Sequence, residues 1–128
     1  MKPRDHPDAD TTRRIVHSAV EVHRRLGPGL LESAYKACLV KELERSGLHV
    51  RCEVPIPIEY REMNIDVSYR ADMVVEDVVL LELKAVERLM PIHEAQVLTY
   101  LKLSKLHVGM LINFNVPRLV LGLRRFVR

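Results

Sequence analysis

Tyr69-Arg70-Ala71-Asp72-Met73-Val74-Val75-Glu76-Asp77-Val78-Val79-Leu80-Leu81-Glu82-Leu83-Lys84-Ala85-Val86 is the stretch on which the fold turns. Two apolar runs flank Glu76-Asp77, and both carry ionisable residues inside them: Asp72 in the first, Glu82 and Lys84 in the second. Side chains of a strand alternate between faces, so Glu82 and Lys84 share one face with only Leu83 between them. Opposite charges on a buried face are costly to desolvate unless a partner compensates. A bound metal ion with its attacking water is one such partner. A structural ion pair is the other.

The register of the hairpin decides whether Asp72 joins them. In an antiparallel pair the numbers of opposed residues have a constant sum. A two-residue loop at Glu76-Asp77 opposes Val75 to Val78, hence Ala71 to Glu82, and leaves Asp72 and Glu82 on opposite faces. A three-residue loop, Glu76 to Val78, opposes Asp72 to Glu82 and Arg70 to Lys84, and a bulge has the same effect. In that register two carboxylates meet beside a lysine, and a divalent cation stabilises them. Oxygen ligands favour Mg²⁺ or Mn²⁺ over zinc. Such an ion orients and acidifies a water and neutralises a phosphoryl oxygen, while Lys84 positions or deprotonates the nucleophile. Arg70, on the face of Asp72 in a regular strand, is placed to grip a phosphate. The competing reading is a surface hairpin with a cross-strand ion pair.

On the N-terminal side, residues 1–10 read as a polar, proline-containing flexible arm, and residues 11–128 as one domain. Asp10 or Thr11 is suited to cap a helix from Thr12, along which Ile15, Ala19, Val22 and Leu26 recur at helical spacing. Gly27-Pro28-Gly29 stops it. A second helix is expected from Leu30 to Arg45. Residues 50–60 alternate, with Val50, Cys52, Val54, Ile56, Ile58 and Tyr60 on one face. Pro55 and Pro57 put this strand at a sheet edge or beside a bulge. Strands at 65–75 and 78–85 follow. On the C-terminal side, Pro91 opens a helix over 91–104, and strands are expected at 107–114 and 119–126. The order α-α-β-β-β-α-β-β describes an α/β protein of the α+β three-layer kind, a central mixed sheet flanked by helices.

The bulk properties agree. Of 128 residues, 48% are hydrophobic and 29% charged, a soluble globular composition. With two Phe, four Tyr and no Trp, the core must be built largely from aliphatic side chains. No apolar run approaches the roughly 18 residues a membrane span needs. The N-terminus lacks a signal-peptide core, so a cytoplasmic location is expected. Cys38 and Cys52 read as small core residues rather than as a disulfide or zinc site. The net charge of +3 is weakly basic. Arg13, Arg14, Arg24 and Arg25 cluster near the start, and Arg118, Arg124, Arg125 and Arg128 near the end. These clusters suit either phosphate contact or a solvated surface.

Beyond the hairpin, further motifs line up in order. Gly29-Leu30-Leu31-Glu32-Ser33-Ala34-Tyr35 follows His23 and Leu26-Gly27-Pro28. Tyr69-Arg70-Ala71-Asp72 is followed by Glu82-Leu83-Lys84-Ala85-Val86. Then come His93-Glu94-Ala95-Gln96-Val97-Leu98-Thr99-Tyr100-Leu101 and Leu111-Ile112-Asn113-Phe114-Asn115. Across roughly residues 13–127 the chain resembles the GxxExxY proteins of the PD-(D/E)XK nuclease superfamily. The resemblance implies a restriction-endonuclease-like core. It implies that Asp72 and Glu82 bind metal, that Glu32 completes the site from its helix, that Lys84 is the catalytic lysine, and that Gln96 and Tyr100 flank them. Where the superfamily's motif has proline before the aspartate, a proline often absent among its members, this chain has Ala71.

Helical spacing is compatible with these roles. Glu32 and Tyr35 share a face with Leu39, which points inward, although a plain Glu32–Lys36 surface pair fits the spacing too. Gln96 and Tyr100 lie four apart, with His93 on the same stripe. His93 reads as structural, and Gly29 as a turn or packing residue. The expected activity is Mg²⁺-dependent hydrolysis of phosphodiesters in DNA or RNA. The alternative is a non-catalytic nuclease-fold module that binds nucleic acid or protein. The small size of the domain points to a homodimer or a partner protein.

Overall fold

A computed structural model of the chain describes residues 8–67 and 69–128. Most of the expected arm, residues 1–7, lies outside them. Its end does not stay extended, because the first helix, α1, spans Ala9–Leu26. Asp8, rather than Asp10 or Thr11, stands at the cap, and Thr12 donates its hydroxyl back to the Asp8 carbonyl at 2.9 Å. Gly27, at φ 69°, ends the helix and returns its N–H to the His23 carbonyl at 2.7 Å. That left-handed conformation is open to glycine at little cost. The second helix, α2, spans Glu32–Arg45, because Leu31 is still extended.

The expected strand at 50–60 divides into β1 (Val50–Pro55) and β2 (Ile58–Tyr60), and the strand at 65–75 into β3 (Met63–Ile65) and β4 (Arg70–Val75). Pairing of β1 with β4 ends at Pro55↔Arg70, and β2 pairs with β3 as a separate two-stranded sheet. Pro57, with no N–H, cannot extend the first ladder. The chain continues through β5 (Val79–Lys84), α3 (Pro91–Ser104) and β6 (Val108–Asn113). A 3₁₀ turn at Leu119–Gly122 then leads into β7 (Leu123–Val127), so the last strand starts later than its apolar pattern suggests.

The main sheet has the order β1-β4-β5-β6-β7, with β5 and β6 parallel and the other neighbours antiparallel. Alternation along β5 and β6 divides the core in two. Val79, Leu81, Leu83, Val108, Met110 and Ile112 pack with Ile15, Ala19 and Val22 of α1 and Tyr35, Leu39 and Leu43 of α2. Leu80 and Leu111 pack with Val97, Tyr100 and Leu101 of α3. The result is an α+β fold in three layers. Helix α3 lies so close to β6 that a Cβ on Gly109 would stand 2.9 Å from Val97 and 3.1 Å from Leu101. The edge strand is less buried than its alternation implies. Both cysteines are free thiols; half-buried Cys38 packs against the α1–α2 core, whereas Cys52 is exposed and is not the core residue its alternation implies.

Candidate nuclease site

The hairpin that brings the carboxylates together has the odd-length loop. Val75 opposes Val79, leaving Glu76, Asp77 and Val78 between the strands, and the pairs Val74↔Leu80 and Met73↔Leu81 follow. Glu76 and Asp77 both adopt positive φ, 53° and 56°, and Val78 donates its N–H to the Val75 carbonyl at 3.0 Å. This register sets Asp72 against Glu82.

At that level the backbones stop pairing and the side chains take over. The Asp72 N–H donates to Glu82 Oε1 at 3.1 Å, and the Leu83 N–H donates to Asp72 Oδ2 at 2.7 Å. The other ladder of β4 is interrupted at the same residue. Cys52↔Met73 and Val54↔Ala71 are paired, but Glu53, which faces Asp72 between them, sits at φ 51°. A non-glycine residue in that region is strained, and such strain clusters where a site needs a particular backbone. The alternation of β4 also breaks here: Met73 packs in the α1–α2 layer, and Ala71 in the α3 layer. Asp72 is therefore reached from both sides of the sheet.

Asp72 and Glu82 are 8% and 4% exposed. Burial, and then the charge of Asp72, push the Glu82 carboxyl up to about 8. The Asp72 N–H and the charge of Lys84 act in the opposite direction without cancelling that rise.

Glu32 opens α2 but does not reach the carboxylate pair directly. Lys36, one turn later, stands between them, with its Nζ 2.6 Å from Asp72 Oδ1, 3.2 Å from Glu32 Oε2 and 3.7 Å from Glu53 Oε1. Burial works against the Lys36 charge, but its bonds to Asp72 and Glu32 outweigh this and hold the ammonium above its ordinary value. Among the described residues no three His, Cys, Asp or Glu side chains are arranged to hold a metal ion. The expected convergence of Glu32, Asp72 and Glu82 is thus replaced by a lysine-centred cluster, because an ammonium compensates the carboxylates. Sequence reading took Lys36 only as a surface partner of Glu32. Spacing alone pairs Lys36 with Glu32 one turn earlier; its reach to Asp72 appears only once α2 is packed beside the sheet.

On the α3 side, Lys84 is half-buried and lines a cleft of about 390 Å³ together with Gln96, Tyr100, Tyr69 and His93. Gln96 donates its amide to the Tyr100 hydroxyl at 3.3 Å. Burial, and then the charge of Glu82, raise the Tyr100 phenol above its ordinary value, which places it within the field of the carboxylates. His93 accepts the Met90 N–H on Nδ1 at 2.9 Å and so caps α3. Arg70 is exposed and lends Nη1 to the Glu53 carbonyl at 3.4 Å, at the rim of the cluster.

Tyr35, Asn113 and His23 have structural roles. Tyr35 is fully buried and stacks on Phe114 with ring centroids 4.6 Å apart. Its hydroxyl donates to the Gly27 carbonyl at 2.6 Å and accepts the Leu30 N–H at 3.1 Å, closing the loop between α1 and α2. Asn113 receives the Val86 N–H at 3.0 Å and donates to the Val86 carbonyl at 2.9 Å. It thereby fixes the chain just beyond Lys84. His23, quoted with the first motif, meets the Val116 carbonyl through Nε2 at 2.7 Å.

The family model of the PD-(D/E)XK nuclease superfamily matches residues 9–126, and the chain belongs to that superfamily. Searches of curated proteins and of solved structures return no match. The superfamily usually uses divalent metal ions and suggests a nucleic-acid substrate. No helix among the described residues is long and apolar enough to cross a membrane.

Proposed function

We propose that the protein is a Mg²⁺- or Mn²⁺-dependent nuclease of the GxxExxY group, with residues 11–128 acting as one unit in the cytoplasm. The observation that carries this reading is the pairing of two buried carboxylates, Asp72 and Glu82, across an odd-length hairpin, with Lys84 two residues on. The donor chemistry of Asp72 and Glu82 suits a divalent ion, although their present arrangement with Glu32 is not that of a ligand set. A cation already stands against Asp72 in the form of the Lys36 ammonium, and the donors are oxygens, which suit Mg²⁺ or Mn²⁺. Asp72 and Glu82 would hold the ion, with Glu32 completing the set once Lys36 moves aside. When bound, the ion supplies positive charge against the phosphoryl oxygens and makes a water easier to deprotonate.

The chain's own groups do the rest. Lys84, on the wall of the cleft, orients the attacking water or takes its proton. Gln96 holds Tyr100 by its hydroxyl, and Tyr100 limits where Lys84 and the scissile phosphate sit. Arg70 stands at the rim for a neighbouring phosphate. The assay is hydrolysis of labelled DNA and RNA strands with excess Mg²⁺ or Mn²⁺. Asp72→Asn and Lys84→Met are expected to remove at least 99% of the rate, on the order of what metal and acid–base groups contribute. Unchanged cleavage in either variant sinks the assignment.

The Lys36-centred cluster favours one second reading, a nuclease fold that binds nucleic acid or a protein partner without cutting, alone or as a homodimer. Calorimetric titration separates the two. Binding of Mg²⁺ or Mn²⁺ at millimolar concentration that is lost in Asp72→Asn supports the enzyme, and absence of binding supports the module.

A further inference from the structure

We propose that the cleft beside Lys84 is a base-stacking subsite that takes one unpaired nucleobase and so directs the protein to single-stranded or locally opened DNA or RNA. This rests on the nuclease reading of the carboxylates and adds the substrate class. The walls of the cleft include Ile58, Tyr69, Ile92, Tyr100 and Leu103. Lys84 stands among them and offers an anionic strand a positive charge, and among the described residues no Asp or Glu lines the wall. At about 390 Å³ it has the size of a small-ligand site rather than of a duplex groove.

Tyr69 is the platform. Half of it is open to solvent (52%), although its surroundings are apolar. Its carbonyl accepts the Ile56 N–H at 2.8 Å, which anchors its backbone. Its ring meets Tyr100 edge-on, with centroids 6.3 Å apart and planes at 61°, and Tyr100 is itself held by Gln96. An aromatic ring held by its backbone and edge but solvent-exposed loses little entropy when a base stacks on it. Bases in a duplex have both faces covered by their neighbours, so only an unpaired or extruded base can use the platform. Gln96 and Thr99, also in the wall, offer hydrogen-bonding groups to the edge of that base.

The test is equilibrium binding without cleavage, in EDTA at low salt, followed by fluorescence anisotropy of labelled 12-mers. The probes are single-stranded DNA, single-stranded RNA, the DNA duplex, and an abasic single strand of equal charge. Either single strand is expected to bind at least tenfold tighter than the duplex or the abasic strand, and which of the two binds more tightly identifies the source. Tyr69→Ala is expected to weaken single-strand binding by about tenfold, and Tyr69→Trp to restore it. Equal affinity for single strand, duplex and abasic strand overturns the proposal, as does a folded Tyr69→Ala protein that binds undiminished. Should Tyr69→Ala fail to fold, the probe comparison on the unaltered protein still decides. Because this binding needs no metal, a protein that binds single strands in EDTA but does not cut them with excess Mg²⁺ or Mn²⁺ refutes the nuclease reading alone. A protein that cuts duplex and binds all probes equally refutes the stacking site alone.

Discussion

Lys36 holds the position of a cation in a cluster of acids, contacting Asp72 at 2.6 Å and Glu32 at 3.2 Å. Removing it leaves a buried carboxylate without compensation. Lys36→Met is therefore expected to lower metal-free stability by about 2 kcal/mol. If the ammonium stands in for a metal, the same variant should show a larger rise in Tm on adding Mn²⁺ than the unaltered protein, because the ion no longer displaces a competitor. A smaller rise would mean that Lys36 supports the ion from behind. Glu82 supplies the pH dependence. Its carboxyl sits at about 8 when folded against an ordinary 4.5, so between those values the folded state holds a proton that the unfolded state has lost. The stabilising contribution is full below about 4.5 and disappears as pH rises through about 8, the reverse of an ordinary ion-paired carboxylate. Thermal melts in EDTA should show Tm falling across this interval, and Glu82→Gln should flatten the fall. Metal affinity should rise over the same range, since the ion takes the deprotonated pair.

At the scale of elements, the end of β5 is held by its neighbour. Asn113, buried on β6, clasps both main-chain groups of Val86, and the Phe114 N–H donates to the Lys84 carbonyl at 3.0 Å. Asn113→Ala would leave the Val86 N–H and carbonyl without these partners. It is expected to cost about 1–3 kcal/mol of stability by chemical denaturation. It should also lower kcat more than it raises KM, because Lys84 loses its fixed position while the cleft survives. A proportional rise in KM would place Asn113 in substrate binding. Elements with local signals were legible in the sequence. Pro91 marks the start of α3, and Gly27 the end of α1. Parity arithmetic on residues 72–84 reduced the hairpin to two registers, of which only the three-residue loop joins Asp72 to Glu82. What escaped depends on neighbours distant in sequence. The reach of Lys36 follows from how α2 crosses the sheet edge. The division of the 50–75 region into two sheets follows from Pro57 meeting the end of a ladder. The Tyr35 hydroxyl shows its role only once Gly27 and Leu30 are beside it.

For the whole molecule, the question is which positive charges remain to meet a polyanion. Charge runs in the sequence do not answer it, because many are neutralised within their own helix. Arg13 and Arg14 lie 3.4 and 4.0 Å from Asp10. Arg24 and Arg25 both lie 2.7 Å from Glu21, one of them gripping it through two nitrogens. A guanidinium held by a carboxylate must break that pair to take a phosphate, so it adds little net counterion release. Arg70 stands at the rim of the carboxylate cluster and Lys84 lines the cleft, and neither forms an ion pair with a carboxylate among the described residues. Binding of a single strand measured from about 50 to 200 mM salt separates the two groups. Arg24→Ala combined with Arg25→Ala should leave the affinity and the slope of log K against log salt unchanged. Arg70→Ala should weaken binding evenly across sequences and reduce the slope by about one unit. If instead the α1 pair lowers the slope and Arg70 does not, the strand crosses the C-terminal end of α1, and the carboxylate cluster at the β4–β5 junction is not the surface that nucleic acid meets.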